Sequence, residues 1–355
     1  VSGLPVSGLP LGEPALGSVV VIGAHILDVL GRPVESIPPG QGSARLAEIR
    51  ATAAGTAAGT AVDLAKLGAQ VRTFGAIGDD LLADVLVTAM NRHGVDTTGL
   101  ARKPGSQTSA TILPIRPNGE RPALHVPGAT PLLQPGDVDL AAVRGCRALL
   151  IGAPDALGGQ AAAWLPGVAL EARAAGALVF ADVLHPGSRP DFDRMAGLLA
   201  AADWFLPNSD QLLALTGGSD LASAMADVLA LGTGGVAVTL GADGCLVSAE
   251  DGTLTHVPGI GVDVVDTTGC GDGFSAGMIA GLLLGCGRVD AAWLGCACGS
   301  LVATGLGSDA GIVSLDHAIA FLSRHQRAVA DRISGQLAGP PVPALTPTRD
   351  GGPHG

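Results

Sequence analysis

VVDTTGCGDGFSAGMIAGLLLG, residues 264–285, decides how the rest of the chain is read. A β-branched run passes through Thr268-Gly269-Cys270-Gly271 to Asp272 and continues as an apolar segment of helical length. The pattern predicts a strand that hands over to a helix, with glycines at the hinge. Glycine lets the backbone turn sharply and approach a ligand, while the first helical N–H groups point outward with the positive end of the helix dipole. Such a turn is a candidate phosphate site. Taken alone, Gly-x-Gly-Asp is better explained by Asp272 as an ordinary N-cap, so the weight falls on the surrounding chain.

That chain alternates between strand and helix patterns. Residues 18–23 form a β-branched run that leads into Ala24-His25-Ile26-Leu27-Asp28, and Asp28, expected in the loop past this strand, sits where open α/β sheets bind ligands. His25 reads as a packed or solvent-facing residue. Residues 44–52 predict a strand, and residues 53–60 are small only, suited to close helix packing or to a backbone surface for a polar ligand. A helix over 61–67, a strand over 71–77 and a helix over 81–93 follow. The βαβ rhythm implies a mainly parallel sheet. It breaks at residues 108–127, where Asn118-Gly119 predicts a hairpin flap that shares strands with residues 30–50; Arg116 and Arg121 beside the turn read as solvated charges. Alternation then resumes, with Pro166 expected to kink or split a helix over 159–175 and a last helix expected over about 316–333.

Composition narrows the function classes. The chain has 355 residues, a net charge of −12 and 47% hydrophobic residues, with Lys66 and Lys103 its only lysines, which argues against a nucleic-acid-binding surface. The apolar residues 274–307 are interrupted by Arg288 and Asp290, short of the ~18 uninterrupted residues of a membrane span. The six cysteines lack zinc or Cys-x-x-Cys spacing and read as reduced thiols, mostly in the core of a cytoplasmic protein. Residues 1–17 lack the basic start and apolar core of a signal peptide and read, like residues 334–355, as flexible extensions of one domain over 18–333.

The residues Asp266-Thr267-Thr268-Gly269-Cys270-Gly271-Asp272-Gly273-Phe274 are similar to the C-terminal signature of the ribokinase-like, or PfkB, carbohydrate kinases. Gly75-x-x-Gly78-Asp79-Asp80, Pro127-Gly128-Ala129, Pro207-Asn208 and Val238-Thr239-Leu240-Gly241-Ala242-Asp243-Gly244 support the resemblance in the family's order. It implies an open, doubly wound α/β sheet with a small β-rich lid, from about residues 29–52 and 106–127, and ATP-dependent phosphorylation of a hydroxymethyl group on a sugar or sugar derivative.

The resemblance also assigns roles. Asp272 resembles the catalytic base, and Gly269, Cys270 and Gly271 join it as a backbone anion hole. Asp28, Gly55 and Gly59 fall at the substrate; Asn208, Thr239, Gly241, Gly244 and Gly305 fall at the nucleotide. Asp266 and Thr268 mark a candidate site for a monovalent cation such as K+, beside the Mg2+ that accompanies ATP. No Walker A pattern exists, so backbone N–H groups, Mg2+ and an arginine are expected to hold the phosphates. A homodimer through exposed lid strands is a further expectation. Two departures stand out. The family's Asn-x-x-Glu is here Asn208-Ser-Asp-Gln211, which questions Mg2+ binding, and its Gly-Gly-x-x-x-Asn is here Ala54-Gly55-Thr56-Ala57-Ala58-Gly59, which argues against ribose itself. The rival readings are a nucleoside kinase, disfavoured by 3% aromatic residues and no Tyr, and a sugar-binding regulator with little turnover.

Overall fold

A computed structural model describes residues 15–337. Its main sheet holds six parallel strands, β1 (Ser18–Gly23), β4 (Gln70–Gly78), β5 (Asp96–Lys103), β8 (Ala148–Gly152), β9 (Leu178–Asp182) and β10 (Trp204–Phe205). Their order is β10-β9-β8-β1-β4-β5, so the chain winds outward in both directions from β1. The switch between β1 and β8 leaves a crevice at the carboxyl ends of these strands, where such sheets bind ligands.

Side chains alternate across the sheet and feed two cores. Val19 and Val21 of β1 join one core and Val20 and Ile22 the other. The first is covered by helices α1 (Ala58–Lys66), α2 (Leu81–Arg92), α8 (Cys270–Leu283), α9 (Arg288–Val302), α10 (Leu315–Ser323) and α11 (Arg327–Leu337). The second is covered by α3 (Leu140–Gly145), α4 (Ala161–Ala174), α5 (Arg189–Ala201), α6 (Ser209–Thr216) and α7 (Leu221–Ala230). Helices α8 and α9 touch almost backbone to backbone: a Cβ on Gly277 would lie 2.6 Å from the Leu294 carbonyl oxygen. An antiparallel sheet of β11 (Ala237–Thr239), β12 (Cys245–Ser248) and β13 (Leu254–Val257) extends this end.

The lid is a separate four-stranded sheet of β2 (Ile26–Arg32), β3 (Glu48–Ala54), β6 (Ala110–Pro114) and β7 (Leu124–Val126), in the order β3-β2-β6-β7. Asp28 pairs with Thr52 on one side and Thr111 on the other, and Thr111 pairs with His125. These four residues make a polar row across one face.

Several expectations are corrected. Residues 264–268 form a loop rather than a strand, because the Val265 and Asp266 N–H groups both donate to the Ala303 carbonyl and Val264 is 62% exposed. Asp28 lies within strand β2 rather than in a loop after β1, since its partners come from distant segments. Strand β5, which carries its charged residues at its two ends and mostly small or polar residues between, was not expected. Helix α4 runs unbroken through Pro166, and the single helix expected over 316–333 is two, separated at residues 324–326. Paired strands around Asn118-Gly119 stop at Ile112 and Leu124, so the turn tips a longer loop. Leu16, expected in a flexible extension, is buried in the first core, and α11 continues to Leu337; the remainder of both expected extensions lies outside the described residues. All six cysteines are free, and Cys270 alone of them is not fully buried.

Candidate active site

Helix α8 opens at Gly269, whose φ of +80° sets the sharp entry that glycine tolerates. A Cβ there would lie 2.4 Å from that of Ser308, so the turn rests directly on the loop 304–311. The Cys270 N–H donates to the Thr267 carbonyl and the Gly273 N–H to that of Gly269, while those of Gly271 and Asp272 find no backbone acceptor among the described residues. Two adjacent donors and the helix dipole therefore face one spot, an arrangement suited to an anion.

Asp266 holds this turn in place. Its Oδ1 accepts from the Thr268 N–H at 3.0 Å and from the Thr268 hydroxyl at 2.8 Å, and its Oδ2 accepts from the Gly307 N–H at 2.9 Å. The lid strand β3 reaches the same loop: Ser308 donates to the Ala53 carbonyl at 2.6 Å, Arg50 donates to the Leu306 carbonyl at 2.8 Å, and Arg50 pairs with Asp309 at 2.9 Å. The lid is thus tied through one loop to the turn that it covers.

Carboxylates dominate the centre. Burial, reinforced by the charge of Asp28 and opposed by Arg121, pushes the Asp272 carboxyl up to about 7. Burial likewise raises Asp28 to about 6, against the opposing effects of Thr111 and Arg121. Asp182, at the carboxyl end of β9, is raised well above the usual carboxylate range by burial and by Asp272; its Oδ2 accepts from Ser275 of α8 at 3.1 Å. Asp63 of α1 is fully buried with no hydrogen-bond partner, 3.7 Å from Lys66 Nζ, and is raised for the same two reasons, with Lys66 opposing. A carboxylate near 7 is well matched to accepting a proton at neutral pH.

The expected residues do not all converge. Asp28, Asp272 and the 269–271 turn come together. Gly59 faces Asp272 directly: a Cβ would lie 2.3 Å from its Oδ2, so glycine here makes room for that carboxylate. Gly55, with φ +82°, lies against the Ala24 carbonyl at the start of α1. Asn208 and Thr239 are bridged side by side, and the Gly241 Cα faces open space. Gly244 has a packing reason of its own, since a Cβ would meet the Val257 carbonyl oxygen at 2.1 Å, and Gly305 packs on Ala310. Gln211 closes a capping box with Asn208: its Oε1 accepts from the Asn208 N–H at 2.8 Å while its Nε2 donates to the Val183 and Leu184 carbonyls. His25 is buried between Gly23 and Thr73, and burial lowers it to about 4, which makes it a neutral packing residue.

Sequence reasoning passed over Asp182, Asp63 and Arg121. The rule that singled out Asp28, an acid at a strand's carboxyl end, also applies to Asp182. Arg121, read as a solvated turn charge, is indeed exposed, but it also reaches across from the lid, its Nε 3.2 Å from the Thr267 hydroxyl.

Comparison with known proteins identifies the family. The model of the pfkB family carbohydrate kinases matches residues 17–314. An ATP-dependent ribose-1-phosphate kinase of Halopiger xanaduensis is 31% identical over 298 residues, covering 82% of this chain and 93% of that protein. An aminoimidazole riboside kinase of Salmonella typhimurium is 31% identical over 293 residues, covering 78% and 89%. Among solved structures, Arabidopsis thaliana ribokinase with ribose and ATP superposes with a TM-score of 0.72 at 23% identity, covering 88% of this chain and 99% of that one. With the signature turn, the lid and the parallel sheet all in the corresponding order, the chain belongs to the pfkB family of carbohydrate kinases.

Proposed function

We propose that this protein transfers the γ-phosphoryl group of ATP to a hydroxymethyl group of a monosaccharide or sugar derivative. The observation that carries the reading is Asp272, a carboxyl raised to about 7 at the third position of α8, beside two free backbone donors and opposite Asp28. The acceptor O–H bond breaks and its proton passes to Asp272; the oxygen bonds to the γ-phosphorus, and the bond to the β-phosphate oxygen breaks to release ADP. Phosphoryl transfer depends chiefly on positioning and on stabilising charge over the phosphoryl oxygens, which the N–H groups of Gly271 and Asp272 are placed to supply.

Asp28 and Thr111, adjacent on the lid row, suit sugar hydroxyls. The Asn208–Thr239 bridge and the open surface at Gly241 suit the nucleotide. No group of three or more His, Cys, Asp or Glu among the described residues is placed to hold a metal, so Mg2+ would take its ligands mainly from the phosphates, with the acidic centre around Asp272 favouring it. It would neutralise the charge that builds on the phosphates. Asp266 keeps free lone pairs beside its three hydrogen bonds, which suits a monovalent cation such as K+ next to Thr268. The outer face of the lid exposes Ile49, Ile112 and Leu124 at 69%, 58% and 60%, which supports a homodimer through this sheet. Free thiols support a cytoplasmic setting.

The test is ADP formation with a panel of neutral sugars, sugar phosphates and nucleosides, beside calorimetry of the same compounds. The expected result is turnover with at least one sugar or sugar derivative. Sugar binding without ADP would instead favour a regulator.

A further inference from the structure

The centre described above is unusually short of positive charge for a site that handles phosphates. Asp28 lies close enough to raise Asp272, Asp272 raises Asp182 and Asp63 in turn, and Gly59 of the same helix as Asp63 lies against Asp272. Lys66, a nearby cation, is engaged elsewhere: it faces Asp63 and donates to the Asp309 carbonyl. Lys103 is paired with Asp137 at 2.6 Å, and Arg50 with Asp309.

Arg121 alone among the described cations bears on both halves of the reacting pair. It follows the lid turn that Arg116 and Glu120 close by a backbone hydrogen bond of 2.8 Å and an ion pair at 3.4 Å. From there its Nε donates to the Thr267 hydroxyl, two residues before the anion-binding turn. Its charge opposes the upward shift of Asp28 on the acceptor side and of Asp272 and Cys270 on the phosphoryl side. With Nε occupied by Thr267, the terminal guanidinium nitrogens, which have no partner among the described residues, are left for a further acceptor.

We propose that Arg121 is a lid-borne catalytic arginine, whose terminal nitrogens hydrogen-bond the phosphoryl oxygens as the group moves from ATP to the acceptor. This rests on the phosphoryl-transfer reading above. A planar cation suits a phosphoryl group whose charge spreads over its equatorial oxygens. Because Arg121 rides on the lid, the site gains this charge only when the lid lies over the turn, and the loop 304–311 that ties β3 to Gly269 couples the two. Transfer to water in the open state would then lack one of its stabilising charges.

The experiment compares Arg121→Gln, Arg121→Lys and, as a control on the same turn, Arg116→Gln. Arg121→Gln is expected to lower kcat roughly 10²- to 10³-fold, as for loss of one transition-state donor, with the acceptor KM changed by less than about 3-fold. Arg121→Lys should recover part of the loss, and Arg116→Gln should behave as wild type. An unchanged kcat, or a rise in acceptor KM alone, would overturn the proposal. A second readout requires no turnover: calorimetry of ADP with Mg2+ and aluminium fluoride, which mimics the phosphoryl group in transit. Arg121→Gln should weaken this binding at least about tenfold while leaving ADP alone unaffected; equal weakening of both would also overturn it. If wild type forms no ADP with any acceptor yet binds the mimic through Arg121, the acceptor assignment has failed and the role of Arg121 stands.

Discussion

On the proposed reading, the turn that opens α8 and the lid sheet above it each hold one reacting partner, by opposite means. In the turn, residues 266–273 supply backbone N–H groups, a glycine hinge and two carboxylates, Asp266 and Asp272, all within a short stretch of chain. In the lid, the polar row of Thr52, Asp28, Thr111 and His125 is assembled from four strands far apart in sequence. The turn's chemistry is carried by backbone geometry and is hard to vary. On the same reading, the lid's recognition is carried by side chains. Chemistry common to a family fits the first kind of construction and substrate choice the second.

The largest expected effect falls on the turn. Asp272→Asn keeps the shape but removes the proton acceptor, and should lower kcat on the order of 10²- to 10⁴-fold with sugar binding by calorimetry retained. Rates near wild type would move the base elsewhere. Gly59→Ala comes next, because the new methyl would meet Asp272 Oδ2 at 2.3 Å. Displacing the base by about 1 Å should cost roughly 10²-fold in kcat without unfolding the protein, and a wild-type rate would show that Asp272 works from another position.

Gln211→Glu separates structure from metal binding. The amide donates to the Val183 and Leu184 carbonyls, so a carboxylate there would lose both bonds and face their oxygens. Denaturant unfolding should show a loss of about 1–3 kcal/mol, with no fall in the Mg2+ concentration needed for half-activity. A lower Mg2+ requirement at unchanged stability would restore a metal role to this position. The smallest effect is on the lid's outer face. Ile112→Asp with Leu124→Asp should turn a dimer into a monomer in sedimentation, with stability changed by about 0.5 kcal/mol or less per exposed site. A wild-type monomer would remove the dimer reading.

These residues also show what the sequence could reveal. The α8 turn was legible because its glycines, Asp272 and apolar helix are contiguous, and the alternation of strands and helices exposed the parallel sheet for the same local reason. Asp28 was found, but in the wrong element, because β2 exists only through its pairing with β3 and β6. The strand expected at residues 264–268 failed because β-branched residues favour strands only where a neighbouring strand can pair with them. The resemblance put Gly59 at the substrate, and nothing local in the sequence shows that Asp272 lies against it. Arg121 was passed over because an arginine beside a turn is usually solvated, and only the placement of the lid over Thr267 distinguishes it.

In the proposed mechanism Asp272 is the base, poised by burial and by Asp28. Such a carboxyl must be ionised to accept a proton, so activity is lost as the pH falls through its raised value. The direct measurement is kcat/KM for the best acceptor from pH 5 to 9 at saturating Mg2+ and ATP. If Asp272 is the base, the profile shows a plateau above neutrality and a tenfold loss per pH unit below an apparent value of about 7. A profile that stays flat down to pH 5 would contradict it.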